Sequence, residues 1–177
     1  MHNEFTLWLI PKEPLRGKMR SIIRNLAVEF DAVEFEPHIT FYCGRSTQAE
    51  ATSVGQAISR AFAPLELKVA DIDHSRTFTK TLFVQFRESA TLRRMFEMAG
   101  SGFKLKGDYK LKPHLSLLYK ILHHAEREAA AGRISVPTDY LFDMLRVVET
   151  QVPIEDEAPV RAWRTVYEAG LEGASYF

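Results

Sequence analysis

The alternation of apolar and polar positions divides the chain into short strands and amphipathic helices. Residues 5–10 are bulky and β-favouring and stop at Pro11, which predicts a first strand. Leu15, Met19, Ile22, Ile23, Leu26 and Phe30 recur at helical spacing, and Pro14 suits a first-turn position. The chain then extends through Val33 to Phe35 and enters Pro37-His38-Ile39-Thr40, followed by Phe41, Tyr42 and Cys43. Thr47 and Glu50 have the spacing of a capping box. They open a second helix with Ala51, Val54, Ala57, Ile58, Ala61 and Phe62 inward, closed by Pro64. Residues 65–69 alternate as a strand.

The same order then starts again. Residues 81–86 read as a strand, and Ser89 caps a helix carrying Leu92, Met95, Phe96 and Ala99, closed by Gly100 and Gly102. Pro113-His114-Leu115-Ser116 follows, running on into Leu117, Leu118 and Tyr119. A short helix over 122–131 stops at Gly132, 140–150 is a strand, 153–159 an acidic loop and 160–167 a last strand. The tail with Gly170 and Gly173 reads as a frayed end. Trp8 precedes His38 by 30 residues, and Val84 precedes His114 by the same offset. The repeated order predicts an α+β fold of two pseudo-symmetric lobes. Each lobe is an antiparallel sheet with helices on the outside, and the two face each other across a central groove. One continuous sheet is the alternative topology. A chain of 177 residues fits a single bilobal domain over 1–177.

In an extended strand, side chains two apart share a face. His38 and Thr40 therefore point one way, with Ile39 and Phe41 opposite; His114 and Ser116 repeat the arrangement over Leu115 and Leu117. An imidazole and a hydroxyl side by side form half of a site, and two such halves imply one site built from both. Histidine suits proton donation and acceptance because its ordinary pKa of about 6.5 leaves both forms accessible near neutrality. A metal site is the competing reading of paired histidines. Zinc ordinarily takes three or four His, Cys or carboxylate ligands, and neither tetrapeptide holds a thiol or carboxylate. Cys43 lies at the wrong parity from His38, and His2, His123 and His124 read as surface residues. No metal and no cofactor are expected.

Composition narrows the class of partner. Formal net charge is zero, so nothing global steers the chain toward long nucleic acid or an anionic membrane. The 46% apolar and 26% charged fractions are ordinary for a soluble globular protein. Cys43 is the only cysteine, which excludes an internal disulfide and fits a reducing, cytoplasmic setting. The N-terminal apolar run is short and lacks a basic leader, so no signal peptide is expected. No stretch approaches the roughly 20 apolar residues of a membrane helix.

The two tetrapeptides resemble the paired His-x-Thr/Ser motifs of the two-histidine (2H) phosphoesterase superfamily, and the order of elements matches along most of the chain. Residues 7–11, the run from Pro113 to Tyr119 and a late Trp163 are most similar to the plant and yeast cyclic phosphodiesterases. The resemblance implies metal-independent hydrolysis of a small ribose cyclic phosphate, a nucleoside 2′,3′-cyclic phosphate or ADP-ribose 1″,2″-cyclic phosphate. His38 and His114 would be general acid and base, with Thr40 and Ser116 binding the phosphate. It also implies that the Tyr119 hydroxyl reaches the phosphate, although strict alternation puts Tyr119 on the wrong face unless a bulge or strand end intervenes. Trp8, with Tyr42 or Phe78, is a candidate to stack on a base. His74, Arg76 and Lys80 lie in a link over 73–81 that reads as a solvated loop, with a place over the groove against a second phosphate as the alternative. Lys104, Lys106, Lys110 and Lys112 would add local positive potential, or protect a strand edge. Two alternatives stay open: an enzyme of RNA ends, acting on 2′,3′-cyclic or 2′–5′ linkages like the bacterial RNA cyclic phosphodiesterases once described as RNA ligases, and a nucleotide-binding module without turnover. The expected partner is a small nucleotide or an RNA end, with no membrane, and the chain is expected to be a monomer.

Overall fold

A computed structural model describes residues 3–105 and 108–174. In chain order the elements are β1 (Asn3–Pro11), α1 (Leu15–Phe30), β2 (Ile39–Gly44), α2 (Gln48–Ala61), β3 (Leu65–His74) and a 3₁₀ turn (Phe78–Lys80). These are followed by β4 (Leu82–Phe86), α3 (Ala90–Gly102), β5 (His114–Leu118), α4 (His124–Arg133), β6 (Asp139–Gln151), α5 (Glu157–Arg161) and β7 (Arg164–Gly170). The fold is α+β and two-lobed, as the pattern predicts. No helix among the described residues is long and apolar enough to cross a membrane.

The two repeats exchange strands. β1 pairs with β2 on one side and β6 on the other, whereas β4 pairs with β5 and β3. The third strand of each repeat therefore completes the other repeat's sheet. β6 is long enough to serve both lobes: Asp139 to Phe142 pair with β3, and the rest lies between β1 and β7. The lobes also meet where Ile39 of β2 pairs with Leu115 of β5. All seven strands thus join in one antiparallel sheet that carries both lobes. The helices follow the exchange: α1 packs on β5, and its counterpart α3 packs on β2.

Local chemistry explains most element ends. Thr47 and Glu50 form the expected capping box, and Ser89 accepts from the Leu92 amide at the start of α3. Four expectations are corrected. In α2, Ala57 and Ala61 are exposed, and Gly55 and Ser59 are buried in their place. The helix turns that face inward because Gly55 lets it approach β6 and β7: a Cβ there would sit 2.6 Å from Val147 and 3.1 Å from Tyr167. Gly132 does not stop α4, which continues to Arg133. The acidic loop instead winds into α5, capped by Asp156, so the last strand begins only at Arg164. Nor is the tail frayed: Leu171 is buried, and the Gly173 amide donates to the Phe62 carbonyl.

Gly55→Ala tests the close approach. In an exposed helix, alanine would stabilise by up to about 1 kcal/mol. Here overpacking against Val147 and Tyr167 dominates, and the expected result is a net loss of about 1–3 kcal/mol in denaturant unfolding.

Candidate active site

The antiparallel pair Ile39–Leu115 fixes the geometry of the site. One residue further along each strand, this register sets His38 across from Ser116 and Thr40 across from His114. Directly opposed residues share a face, so both imidazoles and both hydroxyls lie on the face opposite the fully buried Ile39 and Leu115. His38, Thr40, His114 and Ser116 line one cavity of about 210 Å³, together with Trp8, Tyr119 and Trp163.

Matching bulges extend that face. Opposite β2, the register runs Leu7–Tyr42 and then Trp8–Thr40, leaving Phe41 as the extra residue. Opposite β5 it runs Leu82–Leu118 and then Phe83–Ser116, leaving Leu117 extra. Each bulge lies three residues after its histidine and reverses the alternation. Cys43 and Tyr119, each five residues after a histidine, therefore line the cavity. This corrects the parity assigned to Cys43 from the sequence and supplies the bulge that Tyr119 requires. The Cys43 thiol donates to the Glu4 carboxylate at 3.1 Å, and burial pushes its pKa up. It is held as a thiol.

The bulges also correct the repeat offset. Trp8 lies across from Thr40, and Phe83 lies across from Ser116. The counterpart of Trp8 is thus Phe83, one residue before Val84. Trp8 stacks on His38 with centroids 3.6 Å apart, and Phe83 meets the His114 ring edge-on at 5.6 Å. The Trp8 ring is buried, lines the cavity and gives a face to the imidazole. Tyr42 and Phe78 are buried too, in separate apolar clusters.

Each imidazole is fixed by its own backbone. His38 Nδ1–H donates to the Glu36 carbonyl at 2.6 Å, and His114 Nδ1–H to the Lys112 carbonyl at 2.7 Å. A carbonyl only accepts, so Nδ1 carries the proton and Nε2 remains for a reacting group. The segment before His38 is clamped: Glu36 takes Arg16 at 2.6 Å and Arg20 at 2.8 Å on its two oxygens. Burial pushes the Glu36 carboxyl up, but these two arginines outweigh it and hold it below the ordinary range. On the other half, Gln85 donates to the Pro113 carbonyl at 2.7 Å.

The hydroxyls differ. Ser116 donates to the Thr79 carbonyl at 2.7 Å, whereas the Thr40 hydroxyl has no partner among the described residues. Tyr119 stacks on Phe35 at 3.7 Å, and burial raises its pKa. Tyr109 went unnoticed in the sequence. It lines the cavity and donates to the Thr40 carbonyl at 2.8 Å. Trp163 also lines it, and its buried indole N–H has no partner among the described residues. Of the link over 73–81, it is Thr79 that reaches the cavity; His74 and Arg76 do not line it. Lys80 lies 4.1 Å over the Phe83 ring, and burial, then Lys112, lowers its pKa. Of the lysine series, Lys104 pairs with Glu50 outside the cavity, and Lys106 lies outside the described residues, as does His2.

Both imidazoles are pushed down to about 4. For His38 burial is the main cause, reinforced by His114; for His114 it is burial, reinforced by Lys80. The unfolded chain binds a proton on His38 near pH 6.5, but the folded one does so only near 4. Stability from this group is therefore complete above about pH 6.5 and is lost as pH falls toward 4. At 1.36 kcal/mol per pH unit the loss is about 3 kcal/mol. Urea unfolding of wild type and His38→Gln between pH 7 and pH 4 should show a shallower pH dependence in the variant.

The family described as cyclic phosphodiesterase-like protein matches residues 3–169, nearly the whole chain. The chain belongs to that family. That membership supports the 2H phosphoesterase superfamily, whose paired motifs the two tetrapeptides resemble. The fold agrees with TT0787 of Thermus thermophilus, at a TM-score of 0.64 and 13% identity, over 96% of this chain and 98% of that one. E. coli LigT complexed with 3′-AMP has a TM-score of 0.58 at 10% identity, over 97% of this chain and 99% of LigT. A structure described as a phosphoesterase has a TM-score of 0.59 at 12% identity, over 96% of this chain and 98% of that one. A search of curated proteins found no match.

Proposed function

We propose that this phosphoesterase hydrolyses a small ribose cyclic phosphate, without a metal, using His38 and His114 as general acid and base. The observation that carries the reading is the pair of imidazoles at pseudo-equivalent positions, each with Nδ1–H tied to the carbonyl two residues back. This leaves two Nε2 atoms for one cavity. In-line opening of a cyclic phosphodiester needs a base for water on one side of phosphorus and an acid for the departing ribose oxygen on the other. Two imidazoles related by a pseudo-twofold supply both. Thr40 and Ser116 lie between them as donors to the equatorial oxygens, and the unpaired Trp163 N–H is a third. Which histidine is acid depends on the direction of the reaction.

The donor set favours a metal-free reaction. The residues lining the cavity include no carboxylate, and its thiol is already engaged by Glu4. The substrate preference rests on size and company. The cavity is small, and a second one of about 510 Å³, lined by Glu4, Arg45 and Asp108, shares Cys43 and Tyr109 with it. E. coli LigT structures complexed with 3′-AMP, ATP and NADP⁺ support a small nucleotide. The plant and yeast substrates, nucleoside 2′,3′-cyclic phosphate and ADP-ribose 1″,2″-cyclic phosphate, are the preferred candidates.

Turnover of a 2′,3′-cyclic mononucleotide after exhaustive chelation tests the reading. The rate should be unchanged and only mildly salt-dependent. Loss of activity restored by a divalent ion would overturn the metal-free mechanism. A steep gain in kcat/KM with oligonucleotide length would move the substrate to RNA ends.

A further inference from the structure

The link between β3 and β4 and the start of α4 border a further, half-open cavity, of about 270 Å³, that shares no lining residue with the catalytic one. Arg127 lines it and is 5% exposed. A guanidinium buried that deeply is ordinarily paired with an anion, because removing its charge from water is costly. Among the described residues Arg127 has no carboxylate partner. Its Nε donates to His74 Nδ1 at 3.4 Å and its Nη1 to the Leu122 carbonyl at 2.6 Å. Both acceptors are uncharged; Nη2 has no partner among the described residues and is open to solvent. Arginine carries five N–H donors, so most of this fork is unused.

The other polar side chains lining the cavity are Arg76, His123 and His124. No acid lines the cavity, and the two nearest on α4 have partners. Glu126 accepts from the His123 amide at 3.0 Å, and Glu128 lies 3.7 Å from His124. α4 begins at His124, so the positive end of its dipole adds to the same field. A planar fork, a second guanidinium and imidazoles around an acid-free cavity are complementary to phosphate oxygens.

We propose that this cavity is a second anion site, taking a phosphoryl group on Arg127 with Arg76 and His124 completing the contacts. The proposal is independent of the catalytic reading. The group could belong to a distal part of the substrate or to a separate phosphate ligand. The intervening segment touches both cavities: Arg76 lines this one, and the Thr79 carbonyl accepts from Ser116 in the other.

The test follows the Arg127 Nε–H resonance of the full chain by NMR. Inorganic phosphate and then pyrophosphate are titrated at ionic strength matched with chloride. The expected result is a saturable shift, retained in His38→Ala. It should weaken about tenfold in Arg76→Glu and in His124→Glu, the size of one lost charge-assisted contact. Both substituted side chains are exposed, so the test does not depend on whether Arg127→Gln folds. A response no larger than that of chloride overturns the proposal. So does a response that Arg76→Glu and His124→Glu leave intact but His38→Ala abolishes. Kinetics identify the source of the group in a confirmed site. If Arg76→Ala raises KM only for a cyclic ribonucleotide carrying an additional phosphoryl group, the substrate supplies it. Equal KM values with the NMR response present assign it to a separate ligand.

Discussion

Replacing either His38 or His114 with alanine is expected to lower kcat/KM for a ribose cyclic phosphate by about 10²–10⁴, the usual contribution of a positioned general acid or base. If the two act in one displacement, as proposed, the double variant should lose far less than the product of the single losses. Their pH dependence follows from burial. With both imidazoles pushed down to about 4 in the free protein, the kcat/KM bell should lie on the acid side of neutrality. A bound anionic phosphate stabilises imidazolium and raises its pKa. The limbs of kcat should therefore lie at higher pH than those of kcat/KM. Each single variant should lose one limb, although the apparent values belong to the pair. Steady-state rates from pH 3 to 9 on folded variants check this, and near-wild-type activity in either would remove that histidine from the chemistry.

The two hydroxyls should not be equivalent. Thr40 is free to donate to a phosphate oxygen, whereas Ser116 must first give up the Thr79 carbonyl. Thr40→Ala is expected to cost about 10²–10³ in kcat, by analogy with a lost oxyanion-hole donor. Ser116→Ala should cost less, because breaking its bond to Thr79 offsets part of what it gains on the phosphate. Conservative Thr40→Ser should restore most of the rate. Equal losses at the two positions would mean that Ser116 turns fully to the phosphate when substrate binds.

What the sequence made legible is what local pattern encodes. The Pro-His-aliphatic-hydroxyl stretches identified both strands and all four polar side chains, because alternation holds from His38 to Thr40 and from His114 to Ser116. It fails one residue later in both halves. A bulge is a mismatch between partner strands, and nothing within Phe41-Tyr42 or Leu117-Leu118 marks it. Cys43 was therefore assigned the wrong face, and Val84 was matched to Trp8 in place of Phe83. The strand exchange was hidden for the same reason, since element order says nothing about which sheet β3 and β6 join. Tyr109 was missed because it sits among lysines in a loop, and its role appears only when its hydroxyl meets the Thr40 carbonyl 69 residues away in sequence. Gly55 shows the converse: an apparent gap in the apolar stripe of α2 is the position of closest approach.

The most direct measurement is phosphorus NMR of a 2′,3′-cyclic mononucleotide incubated with the chelated wild-type protein. The account predicts conversion of the cyclic diester signal to one phosphomonoester signal, absent in His38→Ala and His114→Ala. A cyclic nucleotide that binds and stays intact over hours would contradict it and leave a nucleotide-binding module in place of an enzyme.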